Sequence, residues 1–168
     1  MANATFMNIS LTKTMQPFLE EAREEMKRAE HLLYVSLKYT RTVDVIKSLI
    51  DRLINAIDAI TDMLLDFSIE RKKIKEKPEN LGLKGELVKK TFKDPAIAEM
   101  VDFGMFLKQV NRAQYKKSRE FRRHVTMTAM TDIGIIEINI DIIKEHYLKV
   151  LSYLEHAETV IFGEKEQI

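Results

Sequence analysis

Apolar residues recur at steps of three and four along most of the chain, which places them on one face of an α-helix. The clearest stripe predicts a long core helix with near-heptad packing. Its seven members are Ile46, Ile50, Leu53, Ile57, Ile60, Leu64 and Phe67. Thr42 or Asp44 precedes the stripe, and either side chain can cap the start of this helix.

An earlier stripe predicts a helix that begins near Thr14, with Pro17 in its opening turn, and ends between Tyr39 and Arg41. Its apolar positions are Phe18, Ala22, Met26, Ala29, Leu33 and Leu37. Residues 1–13 lack this pattern and are predicted to form a flexible N-terminal arm.

The middle of the chain contains the only obvious connection, from Pro78 to Gly85, followed by a short predicted helix over residues 86–92. Asp94 and Pro95 then indicate an N-cap followed by proline at the first helical position. The helix they begin places Ile97, Val101, Gly104 and Leu107 on one side. Gly104 is expected to permit a close contact with another helix.

Residues 135–142 alternate between apolar and polar positions, which taken alone is a strand signal. No partner strand is evident, so this segment is interpreted as an extended lead-in to a last helix capped by Asn139 or Asp141 and ending at Gly163. Residues 164–168 are left as a C-terminal tail. The chain is therefore predicted to be all-α, a bundle of four or five helices forming a single domain over residues 14–163.

Composition adds limits on function. The 168 residues contain no Cys, which excludes disulfides, thiol catalysis and Cys-based zinc sites and favours an intracellular setting. No apolar run reaches the roughly 18 residues that span a bilayer, and no signal peptide is evident. The protein is thus expected to be cytoplasmic and to have no membrane partner. Because the net charge is only +1, nucleic-acid binding requires a local cationic surface.

A helical bundle of this size can hold a di-iron or di-manganese site, and such a site needs Glu-x-x-His pairs on two helices. The residues three positions before the four histidines are Arg28, Phe121, Ile143 and Tyr153, so this requirement fails. There is also no His-Glu-x-x-His, Gly-rich phosphate loop or nucleophile elbow. No metal site and no cofactor are predicted.

The segment Tyr115 to Met127 concentrates cations around one histidine, His124. They are Lys116, Lys117, Arg119, Arg122 and Arg123, with Lys108 and Arg112 just before them. Imidazole ordinarily exchanges protons near neutral pH, and guanidinium groups fit phosphate oxygens. Ser118 is a candidate N-cap for a helix over this segment. The combination of several cations with one histidine suits phosphodiester chemistry. It equally suits a salt-bridged helix face with His124 packed at a helix junction.

The Arg119-Glu-Phe-Arg-Arg-His124 sequence, in a helical bundle and ahead of a capped last helix, resembles the HEPN superfamily. These small helical domains carry an Arg-x(4 to 6)-His motif in their active members. The resemblance covers roughly residues 14–162 and implies an RNA-binding protein, in active members a metal-independent endoribonuclease that forms a 2′,3′-cyclic phosphate. Arg119 and His124 would be its catalytic residues. The cations named above would bind RNA: Lys108, Arg112, Lys116, Lys117, Arg122 and Arg123.

The resemblance also implies a homodimer. Five residues along a straight helix turn two side chains about 140° apart, so one chain would hardly bring Arg119 and His124 to one phosphate. Glu120 departs from the family, in which a small polar residue often follows the arginine. A carboxylate there would repel phosphate unless Arg122 or Arg123 neutralises it. The alternative function is a non-catalytic interaction module, such as the partner of a minimal nucleotidyltransferase in a toxin–antitoxin pair.

Overall fold

The computed structural model describes the backbone of residues 2–163 and the side chains of residues 13 and 15–163, which form a mostly helical body with one small sheet. Met1 and the predicted tail, residues 164–168, lie outside the described residues. In chain order the elements are α1 (Ala2–His31), a π-helical segment (Leu32–Ser36), α2 (Leu37–Tyr39), α3 (Val43–Glu70), α4 (Leu81–Phe92), α5 (Pro95–Arg112), β1 (Gln114–Ser118), β2 (Thr126–Thr131), β3 (Gly134–Ile138) and α6 (Ile140–Phe162).

Helix α3 is the centre of the body, with α1, α4, α5 and α6 packed around it. All seven residues of the predicted stripe are buried in the core, so the prediction of a long core helix is confirmed. Thr42 is its N-cap, with Oγ1 accepting a hydrogen bond from the Val45 N–H at 3.3 Å. Helix α3 is covered by neighbouring helices on several sides. It therefore buries sixteen residues, many more than a single apolar stripe contains.

Two other helix starts follow the sequence signals. Asp94 Oδ1 accepts hydrogen bonds from Ala96 and Ile97 ahead of α5, and Asn139 Oδ1 accepts one from Ile142 ahead of α6. The expected helix contact at Gly104 is also confirmed. A Cβ on Gly104 would lie 2.9 Å from Ile57 Cγ2, so α5 packs on α3 too closely for any side chain at this position.

The helix boundaries differ from the sequence prediction in two places. Helix α1 begins at Ala2 rather than near Thr14, and its helical course continues through the π-helical segment to Tyr39. Helix α4 begins five residues earlier than expected because Asn80 Oδ1 caps it at the Gly82 and Leu83 N–H groups. Gly85 therefore lies inside α4, where the lack of a side chain allows close contact with Val101.

The all-α prediction is corrected by a three-stranded antiparallel sheet in the order β1-β2-β3. The alternating segment at 135–142 contains β3, which pairs with β2, so the interpretation as an unpartnered lead-in was wrong. Met127, Ala129 and Ile138 are buried on the sheet face that packs on the core. Strands β1 and β2 were not predicted because their sequences contain few large apolar residues. These sequences are Gln-Tyr-Lys-Lys-Ser and Thr-Met-Thr-Ala-Met-Thr.

Among residues 2–163, no helix is both long and apolar enough to cross a membrane.

Candidate nucleic-acid interface

The Arg119–His124 motif lies on the loop that joins β1 to β2, residues 119–125, called here the hairpin loop. Its backbone excludes a helix, because Arg119 and Phe121 adopt φ values of 54° and 63°. Ser118 ends a strand, with its hydroxyl donating to Thr126 O at 3.3 Å, so the expectation that Ser118 caps a helix was wrong. The helical geometry assumed for Arg119 and His124 does not apply.

Two hydrogen bonds fix the hairpin loop to the beginning of α3. The Phe121 N–H donates to Arg41 O at 2.7 Å, and Glu120 Oε2 accepts from the Val43 N–H at 3.1 Å. Val43 is the first residue of α3, where unpaired N–H groups and the helix dipole favour a carboxylate. Glu120 therefore holds the loop against the helix, which gives a structural reason for its place in the motif.

The cationic side chains of the hairpin loop are exposed. Among the side chains that the structure describes, none forms an ion pair or hydrogen bond with the side chain of Arg119, Arg122, Arg123 or His124. Lys117 differs, since its Nζ lies 2.9 Å from Asp44 Oδ1 and this hydrogen bond raises the pKa of Lys117. Lys116 is exposed on the outer face of β1, opposite Thr128.

Lys108 and Arg112 do not join this group. Lys108 Nζ forms an ion pair with Asp58 Oδ1 at 2.7 Å on the side of α3, so its charge is neutralised within the protein. Arg112 is exposed but lines a different pocket, beside Met130 and Asp132 at the other end of the sheet. Of the predicted RNA-binding residues, the structure places Arg122 and Arg123 on the loop and Lys116 and Lys117 on the strand leading to it.

A pocket of about 250 Å³ opens between the hairpin loop and the start of α6, and is called here the loop pocket. It is lined by Arg41, Arg123, His124, Asn139, Ile140 and Asp141. Arg119 is not among these residues, so His124 shares the pocket with Arg41 and Arg123 instead. Sequence reasoning missed Arg41, because nothing in the sequence indicated that the turn before α3 would meet the hairpin loop.

Two other histidines belong to the packing of the body. His146 packs edge-on against the stacked rings of Phe103 and Phe106, with centroids 5.1 and 6.2 Å away. Burial there lowers the pKa of His146 to about 4, and the charge of Lys149 adds to this effect. His156 Nε2 lies 2.7 Å from Asp94 Oδ2. Among residues 2–163, no group of three or more His, Asp or Glu side chains is arranged to hold a metal ion.

No family model matches the chain, and neither the curated proteins nor the solved structures searched include a match. The resemblance to HEPN domains therefore stays a prediction. The features that bear on function are the exposed cations of the hairpin loop and the loop pocket beside them.

Proposed function

We propose that this protein binds single-stranded RNA through its hairpin loop. The observation that carries the proposal is the exposure of Phe121, which is 76 % accessible and stands between arginines that have no described partner. Proteins that bind single strands combine cations that follow the phosphates with aromatic rings on which bases stack. The hairpin loop supplies both within a few residues.

The backbone of the loop supports this role. The Phe121 N–H bond to Arg41 O holds the residue in a left-handed conformation, and its ring is left in solvent. Exposing so large an apolar side chain forfeits roughly 1.5–3 kcal/mol that burial would contribute. A base stacked on the ring would recover part of that energy, while Arg119 and Arg122 would contact the flanking phosphates.

Metal-independent cleavage is the catalytic part of the proposal. A phosphate in the loop pocket would lie beside the imidazole of His124, which removes the proton of the 2′-hydroxyl as that oxygen attacks phosphorus. The bond from phosphorus to the 5′-oxygen of the next nucleotide breaks, this oxygen takes a proton from water, and the product is a 2′,3′-cyclic phosphate. Arg41 and Arg123 would stabilise the negative charge on the phosphate oxygens. Since Arg119 does not line this pocket, it would act from a second copy of the chain in a homodimer.

Binding is tested by fluorescence anisotropy with a labelled single-stranded RNA at several salt concentrations. Phe121→Ala is expected to weaken binding about tenfold, because a stacked base contributes roughly 1–3 kcal/mol. Replacing Arg119 and Arg122 by Gln should lower the slope of log K against log salt by about 1.4, at about 0.7 per phosphate contact. Lys27→Gln, on the exposed surface of α1, is the matched control and should change neither quantity. Failure of the wild type to bind at low salt would overturn the proposal.

Cleavage is tested separately with the same RNA in the presence of a chelator. His124→Ala should abolish the cyclic-phosphate product while circular dichroism remains that of the wild type. Equal cleavage by wild type and variant would remove the catalytic part and leave binding intact. Light scattering would show whether the chain forms the dimer that the Arg119 role requires.

A second candidate is a non-catalytic interaction module, such as the partner of a minimal nucleotidyltransferase. The observation favouring it is the exposure of Ile133 and Ile135, 66 % and 70 % accessible, at the end of the sheet away from the hairpin loop. Exposed apolar side chains of this size are common at protein contacts. If Ile135→Lys abolished capture of a co-expressed nucleotidyltransferase while Phe121→Ala had no effect, the interaction role would be favoured.

A further inference from the structure

The loop pocket is built by three segments that are distant in sequence. Arg41 comes from the turn before α3, Arg123 and His124 come from the hairpin loop, and residues 139–141 come from the start of α6. Its volume of about 250 Å³ lies just below the range of roughly 300–1,000 Å³ typical of pockets for drug-sized ligands. Such a space fits one charged group and the unit attached to it.

The charges that line the pocket are not satisfied by the protein. The lining residues include two arginines and a histidine but only one acidic residue, Asp141. Among the side chains that the structure describes, no ion pair of 4 Å or less engages Arg41, Arg123 or Asp141. Guanidinium groups bind phosphate through paired, charge-assisted hydrogen bonds. The excess of cationic groups therefore favours an anion, and Asp141 limits how tightly it is held.

The walls of the pocket are also held in place before any ligand arrives. Arg41 is tied to the hairpin loop through its own carbonyl, which accepts the Phe121 N–H at 2.7 Å. Glu120 connects the same loop to Val43, and Asn139 caps α6 at the opposite wall. A site whose backbone is already positioned has only its side chains to order on binding, which lowers the loss of conformational entropy.

From this geometry we propose that the loop pocket binds a phosphate monoester, with Arg41 and Arg123 as the groups that hold it. A monoester has a single covalent attachment and carries more negative charge than the phosphodiester that the same pocket would hold during cleavage, so it should bind there more tightly. The phosphate can come from the end of an RNA strand or from a free mononucleotide. If the phosphate belongs to the end of an RNA strand, this inference rests on the proposed function and adds recognition of a strand end to it.

The test compares three RNAs of one sequence, bearing a phosphate at the 5′ end, at the 3′ end or at neither, by fluorescence anisotropy. In a parallel arm, adenosine monophosphate alone is titrated while the imidazole resonances of His124 are followed by NMR. Wild type should bind one phosphorylated strand about tenfold more tightly than the hydroxyl strand, the size expected for a hydrogen-bonded charge.

Three variants assign the effect to the pocket. Arg41→Gln should abolish the preference by weakening the phosphorylated strand more than the hydroxyl strand. Asp141→Asn should increase the preference, because it removes the one negative charge in the pocket. Arg122→Gln is the matched control, since Arg122 does not line the pocket and its loss should weaken all three strands equally.

The outcomes separate this inference from the proposed function. RNA binding with no preference among the strands and no response to adenosine monophosphate would overturn the phosphate site and leave RNA binding standing. An Arg41-dependent response to adenosine monophosphate without RNA binding would support the site with a free nucleotide as its source, and would overturn the proposed function. Loss of all binding in wild type would overturn both.

Discussion

The helical body and the hairpin loop use cationic side chains in opposite ways. Along α3, three carboxylates are paired with lysines from other segments. The pairs are Asp58 with Lys108 at 2.7 Å, Asp62 with Lys84 at 3.0 Å and Asp66 with Lys77 at 2.8 Å. In the hairpin loop, no described carboxylate lies within 4 Å of the Arg119, Arg122 or Arg123 guanidinium. Charge in the body thus serves packing, while charge in the loop remains available to a ligand.

The two regions differ in the same way in their apolar residues. The body buries most of its large apolar side chains, with Leu64 fully buried, whereas the loop leaves Phe121 in solvent on a left-handed backbone. A ring that is neither packed nor paired contributes little to folding. The comparison therefore predicts that stability resides in the body and ligand binding resides in the loop.

The largest effect should come from the core. Leu64→Ala removes a fully buried side chain from the middle of α3 and should lower the free energy of unfolding by about 2–5 kcal/mol. Arg122→Gln, on the exposed loop, should change it by less than about 0.5 kcal/mol. Urea denaturation measures both. A comparable loss of unfolding free energy in Arg122→Gln would contradict the conclusion that stability resides in the body and not in the loop.

A smaller, pH-dependent effect should come from His146. Its folded pKa of about 4 lies below the ordinary value of 6.5, so the unfolded chain binds a proton first as pH falls. The stability due to neutral His146 is present above pH 6.5 and is lost as pH falls towards 4. In that pH window, His146→Gln should reduce the slope of the unfolding free energy against pH by the equivalent of up to one bound proton. An unchanged slope would contradict burial as the cause.

The smallest effect should come from Glu120, which connects the two regions. Glu120→Gln keeps the size of the side chain but removes the charge that accepts the Val43 N–H, and should cost about 0.5–1 kcal/mol. Thr42→Ala, which removes the other cap of α3, provides the comparison and should cost a similar amount. If Glu120→Gln instead stabilised the protein, the carboxylate would be opposing its arginine neighbours rather than anchoring the loop.

The sequence predicted those parts of the fold whose signals are local. The stripe of α3 and the caps at Thr42, Asp94 and Asn139 depend on residues within one or two turns of their neighbours. The close approach at Gly104 joins two helices, but the absence of a side chain within a helical stripe already indicated it. The sheet depends on pairing between strands, and only β3 shows apolar alternation. Its partner β2 packs on the core through Met127 and Ala129, residues that do not distinguish a strand from a helix.

For the candidate site, the sequence indicated a segment but not its arrangement in the fold. Arg122, Arg123 and His124 are on the predicted segment and are exposed. Their run of good helix formers gave no sign of the left-handed backbone at Arg119 and Phe121, which the fold imposes by anchoring the loop to α3. Arg41, more than seventy residues away in sequence, enters the pocket only through that long-range contact.

The Phe121 amide hydrogen lies in an exposed loop but is bonded to Arg41 O, in the turn before α3. Its exchange rate therefore depends on the contact between the loop and the start of the helix. In hydrogen–deuterium exchange this amide should be protected, whereas the neighbouring amide of Arg123, for which no backbone acceptor is found among residues 2–163, should exchange quickly. Exchange at Phe121 would then measure how often the first turn of α3 and the loop separate in the native state.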